Sequence, residues 1–156
     1  MGAQQQTLVI LGTRGIPARH GGFETFAEKL ATHLVANGWR MIVYCQEDGR
    51  GETKFSTWKN VERVHVPSCL RGVPGTTLFD LFSIVHSRRY SGTIFTLGYN
   101  TAIFNLLIRL RGQVNVINMD GMEWRRQKWG RLAKAWLWLN DWLGCLGGHP
   151  DAKSPH

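Results

Sequence analysis

The sequence predicts an α/β domain built on a doubly wound parallel sheet. Short apolar, β-branched runs alternate with stretches of helical periodicity along the chain. The opening reads strand, glycine-rich loop, helix, strand, which is a βαβ unit and demands parallel pairing. The length, 156 residues, suits one such domain with a sizeable core and is too short for two.

Thr7 to Leu11 (TLVIL) is an apolar run that closes on Gly12 and reads as a buried strand. A loop over Thr13 to Gly22 follows, with three glycines and Pro17. Phe23, Phe26, Ala27, Leu30 and Leu34 then recur at helical spacing. Glu24 and Glu28 fall in the early turns, where a carboxylate suits the positive helix end. Gly38 stands where a helix C-cap belongs, and Met41 to Cys45 supplies the second strand.

Asp48 to Asn60 is polar and reads as a loop. Val61 to Val66 alternates apolar with polar residues, as a strand nearer an edge would. Gly72 to Gly75 reads as a break. Leu78, Phe79, Leu81, Phe82, Ile84 and Val85 suit a buried helix face that ends at Arg88 and Arg89. Thr93 to Leu97 is a strand, Ala102 to Leu110 a helix, Val114 to Asn118 a strand, and Gly130 to Leu143 a closing helix. No internal repeat or low-complexity segment interrupts this alternation.

Composition narrows the function classes. Hydrophobic residues make up 43% and charged residues 19%, as in a globular protein. The net charge of +8 favours an anionic partner: nucleic acid, a membrane surface or a phosphorylated substrate. The three cysteines, Cys45, Cys69 and Cys145, have no CxxC spacing and form neither a zinc pattern nor a disulfide framework. A reduced, cytoplasmic setting fits them. The first residues lack the basic and apolar regions of a signal peptide, and no apolar run of about 18 residues is present.

The chemistry concentrates in the first βα loop, GTRGIPARHGGFETF, from Gly12 to Phe26. In an open parallel sheet, ligands sit at the carboxyl ends of the strands, where this loop lies. Gly21 and Gly22 directly precede the helix, whose free N–H groups attract anions. Arg14, Arg19 and His20 add cationic or protonatable groups. A phosphate-binding loop and a plain tight turn both satisfy this pattern. Neither a Walker A ending nor GxGxxG spacing is present, which counts against a nucleotide-dependent dehydrogenase. Asp120 and Glu123 flank Gly121 and Met122 just past a predicted strand. They could do acid–base work or orient a sugar hydroxyl, and Asp before Gly is equally a turn pair.

The stretch GTRGIPARHGGFETFAEKLATHL resembles the opening of bacterial family-four glycosyltransferases of the rhamnosyltransferase-like group. A second stretch, NMDGMEWRRQKWGRLAKAWL from Asn118 to Leu137, resembles another signature of that group. The resemblance implies the N-terminal, acceptor-side half of a GT-B enzyme, a Rossmann-like domain over residues 1–143. It implies that Gly21, Gly22 and Arg14 meet the donor diphosphate and that Asp120 contacts the reacting sugar. His20, Glu123, Arg125 and Arg126 become candidates for acceptor contact or for support of the site. The implied reaction is retaining transfer of a hexose, rhamnose favoured, in cell-surface polysaccharide synthesis. The implied partners are a nucleotide sugar and a glycan or polyprenyl-diphosphate-linked acceptor, with no further cofactor and no metal. A non-catalytic phosphate- or nucleotide-binding module is the alternative.

Five of the seven tryptophans lie between Trp124 and Trp142, among Arg125, Arg126, Lys128, Arg131 and Lys134. Such a surface could rest on the anionic inner face of the plasma membrane. Leu132, Trp136 and Leu139 also fit a core stripe. Nucleic-acid binding has no recognisable motif in its favour. Residues 144–156, GCLGGHPDAKSPH, depart from the resemblance and read as an atypical tail, as in a truncated chain. The sequence therefore leads one to expect little activity without a donor-binding half.

Overall fold

The computed structural model describes residues 5–19, 21–70, 72–97 and 113–118. Six strands form one sheet: β1 (Thr7–Leu11), β2 (Arg40–Asp48), β3 (Lys54–Trp58), β4 (Val61–Ser68), β5 (Thr93–Leu97) and β6 (Asn115–Asn118). Among the described residues, two helices flank it, α1 (Gly22–Ala36) and α2 (Gly72–Ser87). The strand order is β3-β4-β2-β1-β5-β6, and every pair is parallel except β3 with β4. Setting β3 aside, the parallel strands run third, second, first, fourth, fifth. That is the doubly wound, Rossmann-like order, with its switch point between β1 and β5.

Both sheet faces are covered, and this explains the continuous apolar runs. On one face, Ala27 and Ala31 of α1 pack with Leu8, Ile10, Met41, Val43 and Val61. On the other, Phe79 and Ile84 of α2 pack with Val9, Leu11, Ile42, Tyr44, Val64 and Ile94. The small alanines let α1 lie close to the sheet, so Phe26 is left exposed at its edge, with its ring 6.1 Å from Phe95. Gly38 takes φ +84 just past the helix end, as its capping position requires.

Three expectations need correction. The polar stretch Asp48 to Asn60 contains β3, which pairs antiparallel with β4 as an edge strand. Lys59 and Asn60 both take positive φ (47° and 62°), the signature of a two-residue hairpin turn. Gly72 to Gly75 is the first turn of α2 and no break. Pro74 is tolerated there because first-turn amides have no intrahelical partner. Gly75 is buried where a side chain would collide with the Leu70 carbonyl. Finally, the buried face of α2 is Phe79, Asp80, Ser83, Ile84 and Ser87, while Leu78, Phe82 and Val85 are exposed. The predicted helices over 102–110 and 130–143, and the tryptophan-rich segment, lie outside the described residues.

Candidate functional site

A cleft of about 640 Å³ opens at the carboxyl ends of β2 and β4, on the α1 face of the sheet. Its roof is the first βα loop, contributing Arg14, Ile16, Pro17 and Arg19. Its floor is Cys45, Glu47, Arg63 and His65 from the strands. The start of α2 closes one end with Gly72 and Thr76. Strand alternation explains the floor: positions 45 and 47 of β2 and 63 and 65 of β4 point to the face that α1 covers only further back.

The roof is tied down at four points. Gln46 N–H donates to the Arg14 carbonyl at 2.9 Å, and Arg63 Nη1 donates to the Ile16 carbonyl at 3.1 Å. Ala18 N–H donates to Glu28 Oε2 and Arg19 N–H to Glu24 Oε2, both at 2.7 Å. Glu24 stands in the first turn of α1 as expected, and the two glutamates take a further role there. Their carboxylates reach out of the helix to hold loop amides. Glu24 is buried to do so.

Three arginines, Arg14, Arg19 and Arg63, line one cleft. Glu47 and Asp48 stand opposite. Cations beside carboxylates suit a ligand with both an anionic group and hydroxyls. Burial pushes the Cys45 thiol up, against a smaller downward pull from the Ile16 backbone and Arg63. The thiol thus stays protonated at neutral pH and is no nucleophile. Among the described residues, no group of three or more His, Cys, Asp or Glu side chains is placed to hold a metal ion. No helix among them is long and apolar enough to cross a membrane.

Of the predicted site residues, Arg14 lines this cleft. Gly21 and Gly22 lie at the start of α1, with Gly21 in extended backbone (φ −171°), and do not line it. Among the described residues, a Cβ on either glycine would meet nothing within 4 Å. Neither glycine is thus demanded by the described part of the fold. His20, Asp120, Glu123, Arg125 and Arg126 lie outside the described residues. Sequence reasoning missed Arg63, His65 and Glu47. Their signal was available only as the odd-numbered, polar face of β4 and the polar end of β2.

A family model described as "Domain of unknown function (DUF1972)" matches residues 5–143. No curated protein matches the chain. A solved structure described as "Trehalose-6-phosphate from E. coli bound with UDP-2-fluoro glucose" aligns with a TM-score of 0.43 and 15% identity. The alignment covers 72% of this chain and 32% of that one, so the chain spans about a third of its length.

Proposed function

The chain belongs to the DUF1972 family, and from that premise we propose that it is the acceptor-side unit of a sugar-nucleotide-dependent glycosyltransferase of GT-B architecture. The observation that carries this reading is the cleft at the sheet's carboxyl edge, roofed by the glycine loop and lined by Arg14, Arg19 and Arg63. The residues of that loop are those that resemble family-four glycosyltransferases.

In this reading the acceptor lies in the cleft and the donor diphosphate approaches the loop from the open side. Among the described residues nothing stands within 4 Å of a Cβ on Gly21 or Gly22, which leaves phosphate oxygens room to reach the N-terminal amides of α1. Arg14 meets part of the charge that develops on the leaving diphosphate. Asp120 orients the reacting sugar. Retaining transfer then needs no protein nucleophile, because a donor phosphate oxygen accepts the proton of the acceptor hydroxyl. The protein's contribution is position and charge. The favoured donor is dTDP-rhamnose and the favoured acceptor a polyprenyl-diphosphate-linked sugar at the membrane's inner face. A second, donor-binding unit completes the reaction.

The test is a titration with dTDP and UDP, beside a transfer assay with labelled dTDP-rhamnose, with and without a donor-binding unit. Nucleotide binding that falls at least ~10-fold in Gly22→Val supports the loop assignment. Unchanged binding removes the glycine pair from the site. Binding without transfer to any lipid-linked acceptor, even with the second unit supplied, would leave a phosphate-binding module in place of the enzyme.

A further inference from the structure

Three polar side chains cross the sheet on one face, from β2 to β4 to the edge strand β3. Glu47 Oε1 lies 2.8 Å from His65 Nδ1, and His65 Nε2 lies 2.6 Å from Ser56 Oγ. A carboxylate can only accept, so the proton of the neutral ring sits on Nδ1. Nε2 is then an acceptor, and the Ser56 hydroxyl donates to it. The chain of contacts runs nucleophile, base, orienting carboxylate, the arrangement by which a serine is activated whatever fold carries it.

The surroundings complete the set. Ser56 stands directly across the strand pair from Arg63, and His65 from Lys54. Directly opposed side chains in an antiparallel pair have Cβ atoms about 5 Å apart. Arg63 spends one nitrogen on the Ile16 carbonyl, and its buried Nε has no hydrogen-bond partner among the described residues. Arg63 is thus the cross-strand neighbour of Ser56 and brings a cation to the same face of the sheet. The His65 side chain is 16% exposed and Ser56 is half-buried, so the ring is held while the hydroxyl stays within reach of solvent.

We propose that Ser56, activated by His65 and Glu47, is a nucleophile that takes the acyl group of small carboxylic esters and passes it to water. Ser56 Oγ bonds to the ester carbonyl carbon as its proton moves to His65 Nε2. Glu47 holds the imidazolium, and the tetrahedral oxyanion forms on the substrate's carbonyl oxygen. The carbon–alkoxy bond breaks, and the alcohol leaves with the proton from His65. Water then attacks the acyl-serine by the same proton route, which releases the carboxylic acid and restores Ser56. Ser56 and His65 are catalytic residues here, and Glu47 is a positioning residue. The inference does not depend on the sugar-transfer reading, since it uses no nucleotide and no acceptor sugar.

The test is to expose the whole chain to diisopropyl fluorophosphate and to map the adduct by mass spectrometry. In the adduct the Ser56 oxygen binds phosphorus, fluoride leaves and His65 holds the proton. Stoichiometric label on Ser56 is the expected result, and this needs no variant. Hydrolysis of p-nitrophenyl acetate is expected to fall roughly 10²–10⁴-fold in His65→Gln. In Glu47→Gln, kcat is expected to fall with KM unchanged, a split that loss of a mere brace between strands would not give. Absence of label on Ser56, or label and ester turnover unchanged in a folded His65→Gln, overturns the proposal and leaves the three contacts as a strand brace.

Discussion

Gly12 and the pair Gly21–Gly22 look alike in the sequence and differ in kind. Gly12 takes φ +78, and a Cβ there would collide with the Leu97 carbonyl oxygen of the neighbouring strand. Gly12→Ala is expected to cost about 2–4 kcal/mol, read as a lower urea midpoint. The pair meets no such constraint, and Gly22→Val is expected to leave that midpoint within about 0.5 kcal/mol of the parent. Glycine content alone could not separate the two cases, because all three glycines belong to the same first βα loop. What separates them is a neighbouring strand joined to β1 some 85 residues later in the chain. Cysteine reactivity divides in the same local way. Cys69 is exposed, whereas Cys45 is buried with its thiol pushed up. Iodoacetamide at neutral pH is expected to alkylate Cys69 well before Cys45, as timed peptide mapping would read.

At the scale of the element, the β3–β4 hairpin shows where pattern reading stops. Thr57 and Trp58 favour strands, yet Lys59–Asn60 is not a recognised hairpin pair, so the segment read as loop. The turn holds a lysine at φ 47°, which costs roughly 1 kcal/mol. Replacing Lys59–Asn60 by Asn–Gly is therefore expected to stabilise the protein by about 0.5–1 kcal/mol in denaturant unfolding. Helix α2 failed differently. Its apolar residues were found, but they ring the helix, and periodicity could not say which side meets the sheet. Tyr44 decides part of that: its hydroxyl is 2.7 Å from His86 Nδ1, which draws His86 and Ser83 inward. Burial, and then Arg89, holds the His86 pKa below the ordinary histidine value. The unfolded chain thus binds the proton more readily than the folded one. Stability from this contact is full above about pH 6.5 and is lost as pH falls toward the lowered folded value. Thermal melts between about pH 7 and pH 5 should show this loss, and His86→Gln should flatten it.

For the whole molecule, the doubly wound class was legible because β1 and β2 are buried on both faces and read as apolar runs on either side of a helical stretch. The site was legible only where chain neighbours make it. Arg14 stands in a conspicuous glycine loop, whereas Arg63 and His65 join the cleft only because β4 lies beside β2, a long-range fact. With a net charge of +8 and Arg14 at the donor loop, binding of a nucleoside diphosphate should weaken as salt rises from about 0.05 to about 0.5 M. Titration calorimetry at the two salt levels checks this. The four ties on the first loop carry a consequence of their own. Because Glu24, Glu28, Gln46 and Arg63 already fix its backbone, a ligand meets a rim whose conformational entropy was lost during folding. Amide hydrogens at Ala18 and Arg19, which the two glutamates cover, would then exchange slowly with deuterium in the empty protein and scarcely more slowly when a ligand is bound.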